Sequence, residues 1–181
     1  MTGKVPVSGR HEDLNEVGDY QPAESFYREW STSWRTPRPL PEPFPQLYLD
    51  IALRVDALRH ARRLHVGAII VKDDRIISIG YNGMPAGWDN NCEEVVLYSD
   101  DTTALKTKPE VLHAETNAIA KLAKSTESGL NATLFVTHSP CLDCAKLIYQ
   151  SGINSVYYRD AYRSEDGIQF LKQSGVKVEQ L

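Results

Sequence analysis

Apolar residues recur along this chain with two different periods, and glycines and prolines mark where the period changes. Leu47, Ile51, Val55 and Leu58 fall on one helical face and predict a helix from Gln46 to about Arg63. Residues 66–71 form an unbroken apolar run and predict a buried strand. Residues 72–75 read as a turn and 76–81 as the returning strand, so the two strands form a hairpin. Residues 82–110 read as a loop with a polar insertion. A helix is expected from about Leu112 to just before Gly129, and a strand at 134–137. Pro140 is expected to open a second helix at a position proline tolerates, and Gly152 to end it. A strand at 155–158, a helix at 165–173 stopped by Gly175, and a short strand at 176–178 complete the pattern. Helices alternating with strands after a hairpin predict an α/β chain: a mixed sheet covered on both faces, hence three α/β/α layers.

The first 45 residues follow neither period. Pro37, Pro39, Pro41, Pro43 and Pro45 stand at every second position, which predicts an extended strap near polyproline II. Ahead of it Phe26, Trp30 and Trp34 recur every four residues and would line one face of a short helix. The expected organisation is an N-terminal arm over 1–45 and one domain over 46–181. The arm is expected to dock on that domain and to cross to another protomer; the alternative is an arm folded back on its own domain.

Composition narrows the class of partner. With 24 acidic and 20 basic side chains the net charge is −4, which argues against a large nucleic-acid footprint. Three cysteines do not make a disulfide framework. No apolar run is long enough to span a membrane, and the N-terminus has no apolar signal core. The expectation is a soluble, cytoplasmic protein.

The chemistry concentrates in two fragments, His113-Ala114-Glu115 and Pro140-Cys141-Leu142-Asp143-Cys144. One imidazole and two thiolates make a three-ligand zinc site with a fourth position left for water. Cys141 and Cys144 alone would also suit a redox pair, but that reading gives His113 and Glu115 no role. A structural zinc would need a fourth protein ligand, and no second Cys-Cys or His-His pair supplies one. Zinc lowers the pKa of its water to about 7. Glu115, two residues past His113, is placed to take that proton and pass it on. The expected ligands are therefore His113, Cys141 and Cys144, with Glu115 catalytic and one zinc per chain. All lie at the starts of helices, whose partial positive charge favours thiolate.

The H-x-E…P-C-x-x-C pattern is that of zinc-dependent nucleobase deaminases. Residues 66–71, the loop Gly80-Tyr81-Asn82-Gly83-Met84-Pro85, the run His113-Ala114-Glu115-Thr116-Asn117-Ala118-Ile119 and the run Val136-Thr137-His138-Ser139-Pro140-Cys141 together resemble the deoxycytidylate (dCMP) deaminases. The resemblance covers about residues 47–178. It implies a cytidine-deaminase-like fold around a five-stranded sheet, and conversion of dCMP and water to dUMP and ammonia. It further implies a homohexamer activated by dCTP and inhibited by dTTP with Mg²⁺. Some phage members carry a second zinc held partly by a cysteine just before Val-Gly-Ala. Here that stretch reads His60-Ala61-Arg62-Arg63-Leu64-His65, which leaves Cys92 without such a partner. The N-terminal arm has no counterpart in the resemblance.

For the substrate, Asn82 is a candidate for the deoxyribose, and Arg59 and Arg63, clustered with Arg54 and Arg62, for the phosphate. Tyr157 and Tyr162 are candidates to lie near the pocket. Asn117 either orients the site or caps locally. Tyr81, Asn82 and Gly83 are candidates for effector binding, since a bend at Gly83 would bring main-chain N–H groups toward phosphates. The competing functions are a deaminase of dCTP or 5-modified dCMP, a tRNA adenosine deaminase, a riboflavin-precursor deaminase, and an inactive zinc-stabilised binding subunit.

Overall fold

In the computed structural model residues 44–58, 64–99 and 101–181 are described; residues 1–43 of the arm and Arg59, Arg62 and Arg63 lie outside them. Among the described residues four helices and seven strands follow one another as α1 (Phe44–Asp56), β1 (Gly67–Lys72), β2 (Arg75–Tyr81), β3 (Glu93–Leu97), β4 (Thr103–Thr107), α2 (Ala114–Leu122), β5 (Thr133–His138), α3 (Leu142–Gln150), β6 (Ser155–Asp160), α4 (Asp166–Gln173) and β7 (Lys177–Gln180). Five strands form the main sheet in the order β2-β1-β5-β6-β7. β1 pairs antiparallel with β2 and β5, whereas β5-β6 and β6-β7 are parallel. The sheet is mixed, as the alternation of elements predicts.

The period of two divides the core into two layers. On one face Ile69, Val71, Phe135 and Tyr157 pack against Tyr48, Leu49, Ala52 and Val55 of α1. On the other, Ala68, Ile70, Leu134, Val136 and Val156 meet residues of α2, α3 and α4. Tyr157 is therefore core, its ring stacked on Phe135 at 5.1 Å. The β1–β2 hairpin turns through Asp73 and Asp74, both with positive φ (49° and 59°). Aspartate tolerates that conformation, and the resulting two-residue turn matches the twist of the strands.

Three boundaries differ from expectation. α1 begins at Phe44 and takes Pro45 into its first turn, where the missing N–H costs nothing. It ends at Asp56. α2 stops at Leu122 because serines compete for its carbonyls: Ser125 Oγ donates to Leu122 O (2.8 Å) and then accepts from Glu127 N (3.1 Å). Pro140 precedes α3 by two residues, and Cys141 is the N-cap.

The larger correction concerns residues 82–110, which are not merely loop. β3 and β4 form a separate two-stranded sheet with Val95 opposite Leu105 and Glu93 opposite Thr107. The pattern hid it because Val95 and Leu97 are largely exposed and polar residues interrupt both strands. No described helix is long and apolar enough to cross a membrane.

Candidate metal centre and substrate cavity

His113 and Cys141 are the N-cap residues of α2 and α3, and neither spends its side chain on a capping hydrogen bond. A capping Ser, Thr, Asp or Asn would stabilise each helix by about 1 kcal/mol. Here the two side chains turn toward each other instead. His113 Nδ1 lies 3.3 Å from Cys144 Sγ and 3.6 Å from Cys141 Sγ, and the three ligand atoms lie within 4.8 Å of one another. A tetrahedral zinc with bonds of about 2.0 Å to nitrogen and 2.3 Å to sulfur needs N···S separations of roughly 3.5 Å. The residues thus fit zinc in both chemistry and spacing. No other such cluster of His, Cys, Asp or Glu occurs among the described residues. Cys92 is buried outside this one, its Sγ 3.5 Å from Asn90 O.

The electrostatics suit metal capture. The Cys141 thiol is lowered to about 4, first by the hydrogen bond from the Cys144 thiol and then by His113. The Cys144 thiol is pushed up for the complementary reason, since it gives its hydrogen to Cys141 and is buried. The opposite shifts describe one proton shared by two sulfurs, with Cys141 the first to ionise. His113 is raised by its hydrogen bond to Cys141. Glu115 is only 4 % exposed, and burial raises its carboxyl above the usual range.

Two glycines that pattern reasoning passed over hold these helix starts in place. A Cβ on Gly80 would lie 2.0 Å from Ala114 O, and one on Gly167 would lie 2.1 Å from Pro140 O and 2.8 Å from Cys141 C. The bare backbone lets α2 sit on β2, and α4 on the turn bearing Cys141. Gly167→Ala is therefore expected to push Cys141 off its position and to destabilise by about 1–3 kcal/mol. Thermal unfolding with zinc analysis checks this; wild-type melting and metal content would contradict it.

The zinc ligands open into a cavity of about 590 Å³, a size suited to a small ligand. Glu115, Asn82 and Tyr162 line it, and Cys141 and His113 sit at its wall. Asn82 also ties the strand ends together, its Oδ1 accepting from Val66 N (3.0 Å) and its Nδ2 donating to Leu64 O (2.6 Å). Tyr81 lies elsewhere, packed beside the α1 layer with Lys121 Nζ 4.7 Å from its ring centre. Gly83 N donates to Leu112 O (3.2 Å), so the amide expected to meet an effector phosphate is already engaged. Asn117 Nδ2 donates to Tyr81 O (2.8 Å) and fastens α2 to the end of β2. Arg54 is exposed on α1 and does not line the cavity.

Sequence reasoning missed several cavity residues. Glu93, Lys106 and Thr107 come from the β3–β4 hairpin, and His138, Ser139 and Arg163 from the ends of β5 and β6. A signal for His138 and Ser139 was available, because they directly precede Pro140-Cys141.

An α/β/α sheet carrying one His and two Cys at neighbouring helix N-termini, beside a buried glutamate, is the architecture of a zinc hydrolase acting on a small ligand. The model of the cytidine and deoxycytidylate deaminase zinc-binding region matches residues 44–160, and the chain belongs to that family. It is 43% identical over 120 residues to ComE operon protein 2 of Bacillus subtilis, covering 66% of this chain and 61% of that protein. It is 34% identical over 169 residues to deoxycytidylate deaminase of Enterobacteria phage T4, covering 72% of this chain and 86% of that one. The fold matches the crystal structure of dCMP deaminase from the cyanophage S-TIM5 in complex with dCMP and dUMP, with a TM-score of 0.69 and 42% identity. That match covers 79% of this chain and 100% of the cyanophage chain. The protein is thus a zinc-dependent deaminase of this family.

Proposed function

We propose that the protein hydrolyses dCMP to dUMP and ammonia. The observation that carries this reading is the match across the full length of the cyanophage enzyme, whose crystal structure holds dCMP and dUMP. When bound, zinc supplies Lewis acidity that makes hydroxide available near neutral pH. Glu115 supplies the proton traffic. Its carboxylate takes a proton from the attacking water, gives it to ring N3 as C4 becomes tetrahedral, and helps protonate the departing amine. Its raised pKa suits this work, because the carboxylate is a stronger base and the carboxyl keeps its proton for donation closer to neutral pH. Burial among the helix starts keeps bulk water from competing. Asn82 and Tyr162 line the cavity, and in this reading they are the contacts to the sugar and phosphate.

Activation by dCTP, inhibition by dTTP with Mg²⁺, and assembly as a hexamer belong to the same reading and rest on resemblance to regulated members. One substrate panel tests it. Ultraviolet absorbance with dCMP, dCTP, cytidine and deoxycytidine in parallel should show dCMP turned over with the highest kcat/KM. Preference for dCTP or a 5-modified nucleotide would redirect the assignment within the family, and turnover of none would point to a binding subunit. Sigmoidal dCMP kinetics that become hyperbolic with dCTP support regulation; hyperbolic kinetics indifferent to both triphosphates count against it.

A further inference from the structure

Asn117 stands one helical turn past His113 and takes no part in the chemistry described so far. Its backbone N–H closes the first turn of α2 on His113 O (2.9 Å), a carbonyl that also accepts from Thr116 Oγ1 (2.8 Å). Its side chain leaves the helix altogether. Asn117 Nδ2 donates to Tyr81 O (2.8 Å), 36 residues back in the chain. The amide is therefore not a local cap; it joins the helix that bears Glu115 to the strand that leads into Asn82.

β2 is an edge of the five-stranded sheet, so carbonyls on its outer side have no strand to pair with. α2 supplies donors to two of them: Lys121 Nζ reaches Ile79 O (3.0 Å) and Asn117 Nδ2 reaches Tyr81 O. In return Ser78 Oγ donates to Ala118 O (2.7 Å). Ahead of the helix, Gly83 N donates to Leu112 O (3.2 Å) and Leu112 N to Gly83 O (2.9 Å). His113 and Glu115 thus lie between two fastenings, Gly83–Leu112 before them and Tyr81–Asn117 after them. On the strand side these fastenings fall on the two neighbours of Asn82. Asn82 in turn holds Val66 N and Leu64 O, and all three of these residues line the cavity.

We propose that Asn117 is a positioning residue for deamination: its amide seats the start of α2, and with it Glu115, at a set distance from the cavity wall built on Asn82. The inference rests on the reading of Glu115 as the proton carrier. Proton transfer needs heavy atoms within about 2.6–3.2 Å of each other, and a misplacement of about 1 Å can cost about 10²-fold in rate. Glu115 rides on a helix and Asn82 on a strand end. Their separation is set by the bonds between these elements, not by the chain that connects them. The Asn117 bond stands at the level of the site, one residue from Asn82, whereas the Lys121 bond lies a turn farther along the helix.

The test is steady-state kinetics of the zinc-loaded enzyme on the substrate of the panel above that the wild type turns over best. Wild type is compared with Asn117→Leu, Asn117→Asp, Asn117→Gln, Lys121→Met and Glu115→Gln, at a temperature where circular dichroism shows each of them folded. Asn117→Leu keeps the volume without the donor; it is expected to lower kcat by about 10–100-fold, to change KM by less than about threefold, and to keep its zinc. Asn117→Asp keeps the shape but sets a carboxylate against the Tyr81 carbonyl. It should lose as much rate, although an acid near the helix start favours the dipole, so the loss should exceed anything its melting temperature accounts for. Asn117→Gln returns the donor on a longer arm and should recover part of the rate. Lys121→Met breaks the neighbouring bond on the same edge and should leave kcat near wild type. Wild-type kcat in Asn117→Leu, or an equal loss in Lys121→Met, overturns this inference alone. A wild type inactive on the whole panel, or about a tenth of the activity kept by Glu115→Gln, overturns the proton-carrier reading and the inference with it.

Discussion

Glu115→Gln is expected to abolish turnover while leaving fold and metal intact. General acid–base catalysis by one positioned group is worth about 10²–10⁴-fold. In the proposed reaction one carboxylate serves the attacking water, the ring nitrogen and the departing amine, so the loss should reach at least about 10⁴-fold, or ~5.5 kcal/mol of barrier. The amide has the same shape but cannot accept and return a proton. Zinc should stay at one per chain, since Glu115 is not among the ligands. Stability should hold or rise, because the native side chain is a buried carboxyl whose ionised form is disfavoured there. Turnover, zinc analysis and thermal unfolding on one preparation decide the matter. A variant keeping a tenth of wild-type activity would rule out the proton-carrying role.

Cys144→Ala should lose the metal as well as the activity. Disturbing only an outer partner of a zinc ligand weakens binding by about 10–100-fold, and removing one of three ligands should exceed that. The site cannot repair itself, because Cys92 is buried outside the cluster. The fold should survive, since Cys144 is one small member of a buried core otherwise built from aliphatic and aromatic side chains. Metal analysis after dialysis should show little zinc, with near-native far-ultraviolet circular dichroism. The wild-type site should also weaken in acid. The Cys144 thiol is raised, so it is protonated at neutral pH and zinc must displace that proton. Each displaced proton lowers apparent affinity about tenfold per unit of pH. Zinc retained stoichiometrically by Cys144→Ala would show that this sulfur is not a ligand.

Short-range pattern determined a good deal of this protein. The spacing of His113, Glu115, Cys141 and Cys144 was readable because a metal demands particular donor atoms, and the helix starts bearing them were marked by proline and by the onset of periodicity. The order of strands and helices was readable as well. β1, β5 and β6 are buried on both faces and so appear as unbroken apolar runs. Gly152 and Gly175 have φ of 81° and 76°, which explains why they end α3 and α4.

Tertiary structure alone decided the rest. β3 and β4 carry no inward apolar face, so nothing in their pattern distinguishes them from loop; their pairing becomes visible only in space. Gly80 and Gly167 look like ordinary glycines until another backbone is found 2.0–2.1 Å from where a Cβ would stand. The cavity beside the candidate metal centre collects side chains from the ends of β5 and β6 and from the β3–β4 hairpin, segments far apart in the chain. A local period reports which face of an element is buried. It cannot report which distant elements meet there, because register, crossover and packing distance are set by the whole core at once.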